Sequence, residues 1–519
     1  MTPVTDSSAP AADRRGLVEP LALALVVGAM AAAMFATHRA GHWWGDDWAL
    51  YLRQADGLVS GHPGRVLAEN EFAVSMSRGP AFSPPLYPWG FPIVLAPFVA
   101  VWGTDVDRLA VVPVLSACAF ACAWHLLARR RIGVVPSMVA TVAITVSPLL
   151  LGWTELLQSE WTFMAVATAA LVVIDRAVTA DRLVGPTARW GVLVGVGLWI
   201  AAAFSVRREG LALVAAVGVA QLAAIATAWR SGARPPADRR LAAQLIVPHA
   251  VALGAVLLLQ TVLPTTVIPR YSGTSLRNMW GFRRDHVDHL LEIVGLKRPW
   301  ESDPTVFGSA AFGWAVAGLF FGLAVPGLVV AFARRRDMHL AAYAVVAFII
   351  GASFRVPVNR YLATVAPILL LLGLSLVTRL ARPARLTWLA PLVATALVAP
   401  IAAGNVANVH LRIERAASAA TAGAVEWGPT HPDAIALFDQ IRARTGPDDV
   451  VGAPKARAMT FATDRLAVQV DDYRNLPGID LALVVTEPST AVHRRLLADP
   501  AYERVWSNTR FTIFAPVRE

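Results

Sequence analysis

The chain has 519 residues, 56% of them hydrophobic and only 16% charged, against roughly 25% charged in an average soluble protein. With a mean hydropathy of +0.53, this excludes an ordinary soluble enzyme, a disordered chain and a coiled coil. The formal net charge is +10, but the basic residues fall in short clusters between apolar segments, which is the pattern of a membrane protein's cytoplasmic loops and not of a nucleic-acid-binding surface.

A spanning helix needs about 20 mostly apolar residues. Eleven segments qualify, near 17–36, 107–128, 132–150, 159–177, 189–205, 210–229, 241–263, 309–333, 338–354, 360–378 and 386–404. No small-residue cleavage site precedes the Trp-rich stretch His42–Trp48, so the first segment reads as a retained anchor. Arg14 and Arg15 hold the tail 1–16 in the cytoplasm.

The apolar stretch 88–103 decides the sidedness of everything after it. If it does not cross, five basic clusters fall on the cytoplasmic side: Arg129–Arg131, Arg176/Arg182/Arg189, Arg230/Arg234/Arg239/Arg240, Arg334–Arg336 and Arg379/Arg382/Arg385. If it crosses with the same N-terminus, all five face outward, against the positive-inside rule. The stretch therefore reads as a re-entrant or interfacial helix. An outward N-terminus with 88–103 spanning also keeps the clusters inside, but strands loop 38–87 away from the other polar loops.

The expected fold is a polytopic α-helical membrane protein of about eleven transmembrane helices plus a re-entrant or juxtamembrane helix, with a small C-terminal α/β domain outside. The domain boundaries are 1–16 for the tail and 17–405 for the membrane domain, which includes the first outward loop 38–106 and the long outward loop 264–308. The extracytoplasmic domain is 406–519. Within it, 432–444 reads as an amphipathic helix, Asp448–Gly452 and Asp480–Thr486 as buried strands, Ser489–Leu497 as a helix and Arg510–Ala515 as a closing strand. Cys118 and Cys122, four apart in an apolar segment, read as small core residues on one helix face.

Three charged motifs gather on the outward side. Gly45-Asp46-Asp47-Trp48-Ala49-Leu50-Tyr51 places two adjacent carboxylates at a membrane interface, where they need a cation, a basic partner or a proton to accept. The alternative is a solvated loop whose Trp43, Trp44 and Trp48 form an interfacial belt. In Thr154-Glu155-Leu156-Leu157-Gln158-Ser159-Glu160-Trp161, Glu160 either complements a helix dipole or, like Glu155, converges with Asp46 and Asp47 on a cation or substrate pocket. The third motif is cationic: Arg207-Arg208-Glu209-Gly210, Arg270/Arg277/Arg283/Arg284, Arg355 and Asn359-Arg360-Tyr361. Outward arginines run against topological bias, and bidentate recognition of phosphate is the common reason for them.

No Walker loop, dinucleotide fingerprint or HExxH occurs. His286 and His289 have metal-like spacing but no third ligand. Asp448-Asp449 and Asp471-Asp472-Tyr473 read as turn residues at strand ends.

In their order along the chain, Asp46-Asp47 with Tyr51, Ala55 and Gly61, then Pro84-Pro85-Leu86-Tyr87-Pro88, Ser159-Glu160, Arg207/Arg208-Glu209-Gly210, and Arg360-Tyr361 followed by Pro367 resemble the GT-C glycosyltransferases. The branch they resemble is that of protein O-mannosyltransferase and lipid A aminoarabinose transferase. The resemblance covers most of 38–378. It implies an inverting transferase of the cytoplasmic (inner) membrane, with its active site extracytoplasmic, that passes a sugar from a polyprenyl-phosphate donor to a hydroxyl of a glycan, lipid or protein acceptor.

By position, Asp46 would be the general base. Asp47 stands where that branch often has Glu, which leaves both carboxylates as candidates for that role. Glu155 or Glu160 would bind the acceptor, and Glu160 with Asp47 a divalent cation, Mg or Mn. Arg207, Arg208, Arg360 and Tyr361 would hold the donor phosphate. The competing class is a transporter or flippase of lipid-linked sugars, which would want polar groups or broken helices near mid-membrane.

Overall fold

The computed structural model describes residues 11–77, 86–232, 238–264, 274–296, 310–381, 388–425, 428–476 and 480–517. Pro84, Pro85, Arg234, Arg270, Arg382, Arg385 and, in the loop 264–308, residues 265–273 and 297–308 lie outside the described residues.

Each of the eleven apolar segments is helical. Among the described residues, seven helices are long and apolar enough to cross a membrane: Leu17–Ala36, Val106–Ile132, Glu160–Thr179, Arg208–Arg230, Arg239–Val262, Trp314–Phe332 and Leu389–Thr421. The pair Val134–Thr145 and Pro148–Glu155, bent by 54°, makes an eighth. The bend has a local cause. Ser147 is held extended before Pro148, as the proline ring demands, and its hydroxyl accepts from Leu150 N–H to start a new helix with proline in its first turn. Three shorter apolar helices, Trp190–Val206, Met338–Ala352 and Val365–Leu380, fill the remaining predicted segments. The chain is a multi-pass membrane protein.

The helix Gly90–Trp102 has 13 residues, about 20 Å of rise against about 30 Å of hydrocarbon. It is too short to cross unaided and lies against the helix Asp47–Val59. Gly90 permits this placement: a Cβ there would come 2.5 Å from the Ser205 carbonyl carbon, so the start of this helix rests on the end of Trp190–Val206. Cys118 and Cys122 are free thiols, partly buried, on the helix Val111–Ile132.

The helix Leu389–Thr421 runs for 33 residues, well past position 406. Beyond it lies a five-stranded sheet of β1 (Val450–Ala453), β2 (Leu466–Gln469), β3 (Leu483–Thr486), β4 (Tyr502–Ser507) and β5 (Thr512–Pro516). Their order is β2-β1-β3-β5-β4. The β1 strand pairs in parallel with β2 and β3, while β5 is antiparallel to β3 and β4. The helices Pro432–Arg444, Ala456–Thr463 and Ala491–Ala498 complete this α/β unit. The expected strands are present as β1, β3 and β5; β2, β4 and the helix Ala456–Thr463 are additional.

The tryptophans of the first loop anchor this unit. Trp44 stacks on Phe438 with ring centroids 6.0 Å apart, and Trp48 meets Phe461 edge-on at 5.4 Å. Trp48 is fully buried, so it packs protein and not lipid. Polar contacts repeat the attachment: Arg53 reaches Asp464 at 2.8 Å, and Gln469 N–H donates to the Ser77 hydroxyl at 2.9 Å.

Candidate active site

The loop that presents the acids is fixed by His42. Leu157 N–H donates to its Nε2 at 2.9 Å while its Nδ1 donates to the Trp43 carbonyl at 2.9 Å, which requires the neutral ring. Burial agrees, driving its pKa down to about 4. Asp46 then stands at the N-cap position of Asp47–Val59 but does not cap that helix. Its Oδ1 instead accepts from Ala458 N–H at 3.2 Å, in the first turn of Ala456–Thr463, where backbone N–H groups lack partners of their own.

The two carboxylates titrate in opposite directions. Burial raises the Asp46 carboxyl above its ordinary value, and Arg457, the Ala458 N–H and Lys455 only partly offset this. Burial also pushes Asp47 upward, but the charge of Arg360 and the Tyr87 hydroxyl outweigh it and hold the group at about 2. Tyr87 OH donates to Asp47 Oδ1 at 2.6 Å and Arg360 Nη1 to Oδ2 at 2.5 Å. Arg457 in turn donates to the Tyr87 hydroxyl at 3.1 Å. Paired acids whose surroundings drive their pKa values apart are the usual way to keep one as a proton acceptor and the other as a fixed charge.

Behind this pair lies a second layer centred on Arg207. The helix Trp190–Val206 ends where Arg207 turns extended. The chain reverses at Gly210, where a Cβ would meet Phe204 N at 2.5 Å. The buried guanidinium gives Nη1 to Glu160 Oε1 at 2.7 Å and to the Ser159 hydroxyl at 3.2 Å, and Nε and Nη2 to Glu209 Oε1 at 3.2 and 2.8 Å. Ser159 also meets the Tyr51 hydroxyl at 3.0 Å. Arg208 lies over the Phe204 ring, 4.8 Å from its centroid. Tyr361 stacks on Phe354 at 4.2 Å and lies within 5.6 Å of both Arg207 and Arg360.

The two layers meet at Arg360, whose Nη1 is 3.8 Å from Glu160 Oε1. Here two buried atoms have no hydrogen-bond partner among the described residues, Arg360 Nε and Glu160 Oε2. A buried polar atom without a partner costs about 1–3 kcal/mol and needs an explanation; one donor and one acceptor open together at an acidic and basic cluster suit a polar ligand.

Seven of the eight predicted residues thus share one end of the bundle. Glu155 does not join them. The short 3-10 turn Trp153–Glu155 and the extended residue after it turn it toward Arg39 and Arg412, at 3.5 and 3.7 Å, where it ties the first loop to the long terminal helix. Arg277, Arg283, Arg284 and Arg355 are exposed. His286 is buried and His289 lies 3.5 Å from Glu292.

The two carboxylates expected to hold a divalent cation are largely engaged by other groups in this structure. Both oxygens of Asp47 and Oε1 of Glu160 are already engaged by Tyr87 or arginine, so a metal held by these two would press against guanidinium groups of like charge. Among the described residues, no three His, Cys, Asp or Glu side chains gather as a metal site.

Sequence reasoning placed the site outside the C-terminal unit and so missed Arg457. Tyr51 and Tyr87 were noted as motif positions without a role, and His42 only as part of a Trp-rich stretch. The signal available for Arg457 was slight: an arginine beside Lys455, one of very few lysines in the chain.

No protein-family model and no curated protein matches the chain. Among solved structures, it is similar to ArnT from Cupriavidus metallidurans bound to undecaprenyl phosphate, with a TM-score of 0.53 at 14% identity over 95% of this chain and 98% of that one. The apo form of the same protein gives 0.52 at 14% identity, over 98% and 99%. An oligosaccharyltransferase from Archaeoglobus fulgidus in the apo form gives 0.48 at 14% identity, over 96% and 74%.

Proposed function

We propose that this chain, which shares the GT-C fold, is a membrane glycosyltransferase that moves a sugar from a polyprenyl-phosphate donor to an acceptor hydroxyl. The observation that carries the reading is the open pair Arg360 Nε and Glu160 Oε2 beside two carboxylates of opposite proton affinity. The undecaprenyl phosphate bound to the similar ArnT supports a lipid phosphate as the donor's leaving group.

In this reading the acceptor O–H gives its proton to Asp46 as its oxygen attacks the anomeric carbon. The bond from that carbon to the phosphate oxygen breaks, and its electrons leave with the polyprenyl phosphate. Arg360, with Tyr361 beside it, binds the departing phosphate, where a charge-assisted donor in a water-poor site is most effective; Arg208 is a further candidate donor to that phosphate. One base suffices for inversion, because phosphate leaves without an acid. Asp47 is the counter-charge that aims Arg360, and Glu160 Oε2 accepts from a sugar or acceptor hydroxyl. Arg207 positions Glu160 and Tyr361.

Arg129–Arg131, Arg176 and Arg379 lie in the last turns of helices, at the end of the bundle opposite the site, which under the positive-inside rule supports a site and a terminal α/β unit on the outer face of the cytoplasmic membrane. Acceptor classes in reach there are envelope glycans, lipids and proteins.

The test is transfer by the purified protein in lipid vesicles, from a panel of polyprenyl-phosphate sugars to an envelope extract. Arg360→Ala is expected to raise the donor KM by about 10- to 100-fold, since hydrogen bonds to charged groups contribute about 1.5–3 kcal/mol, with the acceptor KM little changed. Equal effects on both substrates would count against phosphate recognition. Movement of intact lipid-linked sugar between leaflets, without transfer, would replace the enzyme reading by a flippase.

Because guanidinium groups already occupy the acids, turnover is expected to be unaffected by EDTA. A loss that Mg or Mn restores would return a metal to Asp47 and Glu160.

A further inference from the structure

The end of the bundle opposite the active site holds a second charged cavity, of about 150 Å³, lined by Arg130, Arg131, Asp175, Arg336, Asp337 and Arg379 together with three hydroxyl residues. It is built where four helices end. Arg130 and Arg131 come from the last turn of Val111–Ile132, Asp175 from the end of Glu160–Thr179, Arg336 and Asp337 from the approach to Met338–Ala352, and Arg379 from the end of Val365–Leu380. The helix that begins with Glu160 in the active site has 20 residues, about 30 Å of rise, so the cavity is a separate place.

Its charges do not balance. Asp175 already takes Arg131 Nη2 at 2.5 Å and Arg130 Nη1 at 3.0 Å, and Asp337 takes Arg131 Nε at 2.8 Å and an Arg379 nitrogen. Both carboxylates are nearly fully buried and each serves two guanidinium groups. Four arginines therefore face two acids. Two of the three hydroxyls are already spent on the backbone: Thr378 donates to the Arg131 carbonyl and Thr179 to the Asp175 carbonyl. Arg336 is exposed and has no carboxylate partner among the described residues.

We infer that this cavity binds a phosphate anion, presented by the head group of an anionic lipid or as free phosphate. Two positive charges remain over, on planar forks that match phosphate oxygens. Their place at the helix ends, in the basic cluster expected to face the cytoplasm, is where pockets between membrane helices take anionic head groups. The buried Asp175 and Asp337 hold Arg131 and aim the rest, so the fold prepares the cavity before any ligand arrives. The inference does not depend on the sugar-transfer reading.

Native mass spectrometry of the full chain tests it, using phosphatidylglycerol, phosphatidylcholine and inorganic phosphate as separate probes. Phosphatidylglycerol is expected to be retained in preference to phosphatidylcholine. Arg336→Gln, an exposed change that leaves the buried pairs intact, is expected to weaken that binding about tenfold, the effect of roughly one charge-assisted contact. Competition by inorganic phosphate would show that the phosphate alone is recognised; retention of the lipid without competition would show that the head group acts as part of a membrane lipid. Equal retention of the two lipids with no bound phosphate, or binding unchanged in both Arg336→Gln and Arg130→Gln/Arg336→Gln, would overturn the inference.

Discussion

Asp46→Asn is expected to lower the rate of sugar transfer by about 10²–10⁴-fold, the usual contribution of a positioned general base, while leaving the protein folded. The second half follows from the geometry. The contact that Asp46 makes with the Ala458 N–H needs only a carbonyl oxygen, and asparagine supplies one at the same place. Loss of activity in this variant therefore separates proton acceptance from attachment of the C-terminal unit.

The pH profile sharpens the test. A base must be ionised to act, so the wild-type rate falls as the pH drops through the Asp46 pKa. Burial lifts that value above the ordinary carboxylate, so the acid limb lies at higher pH than an unperturbed aspartate would give. Asp47, held at about 2, stays charged throughout. An acid limb no higher than that of an ordinary carboxylate, or near-normal turnover by Asp46→Asn, would remove Asp46 from the role.

Arg207→Ala is expected to be the most damaging single change to stability at the site, at about 3–5 kcal/mol, the range for removing one partner of a buried ion pair. It strands Glu160 and Glu209, both nearly fully buried, and frees Ser159. The loss should appear as a lower midpoint in thermal unfolding of the purified protein. Arg207→Lys should recover only part of it, because one ammonium cannot serve carboxylates approached through separate edges of the guanidinium. A midpoint for Arg207→Ala within a degree of wild type would mean that the two glutamates find other partners, and that the second layer is less rigid than its hydrogen bonds indicate.

The membrane helices were legible because hydropathy over about 20 residues is a strong signal. The three shorter ones carry the same apolar signal, but as helices they have 17, 15 and 16 residues, fewer than the length expected of a crossing. The acids Asp46 and Asp47 stood out because adjacent carboxylates at an interface demand a partner, and Arg360 because it opposes the charge bias of its side. Glu155 was misleading for a physical reason: it stands five positions before Glu160, but it ends a 3-10 turn and an extended residue follows it, and spacing alone does not encode that reversal. β2 (Leu-Ala-Val-Gln) is too short to show a period, and β4 carries Glu503 and Arg504 at its exposed middle, which hides a strand from a search for apolar runs. Arg457 was illegible because its importance lies in a contact with Tyr87 370 positions away.

The hydrogen bond from Ala458 to Asp46 joins residues 412 positions apart, and this gives the protein a schedule. At synthesis rates of roughly 5–20 residues per second, about 20–80 s pass between the appearance of the acid and of the backbone group that receives it. During that time the nascent chain has a first loop, membrane helices and both carboxylates, but neither the N–H that orients Asp46 nor the arginine that braces Tyr87. A half-made chain thus has an incomplete site, which is completed with the docking of the last folding unit.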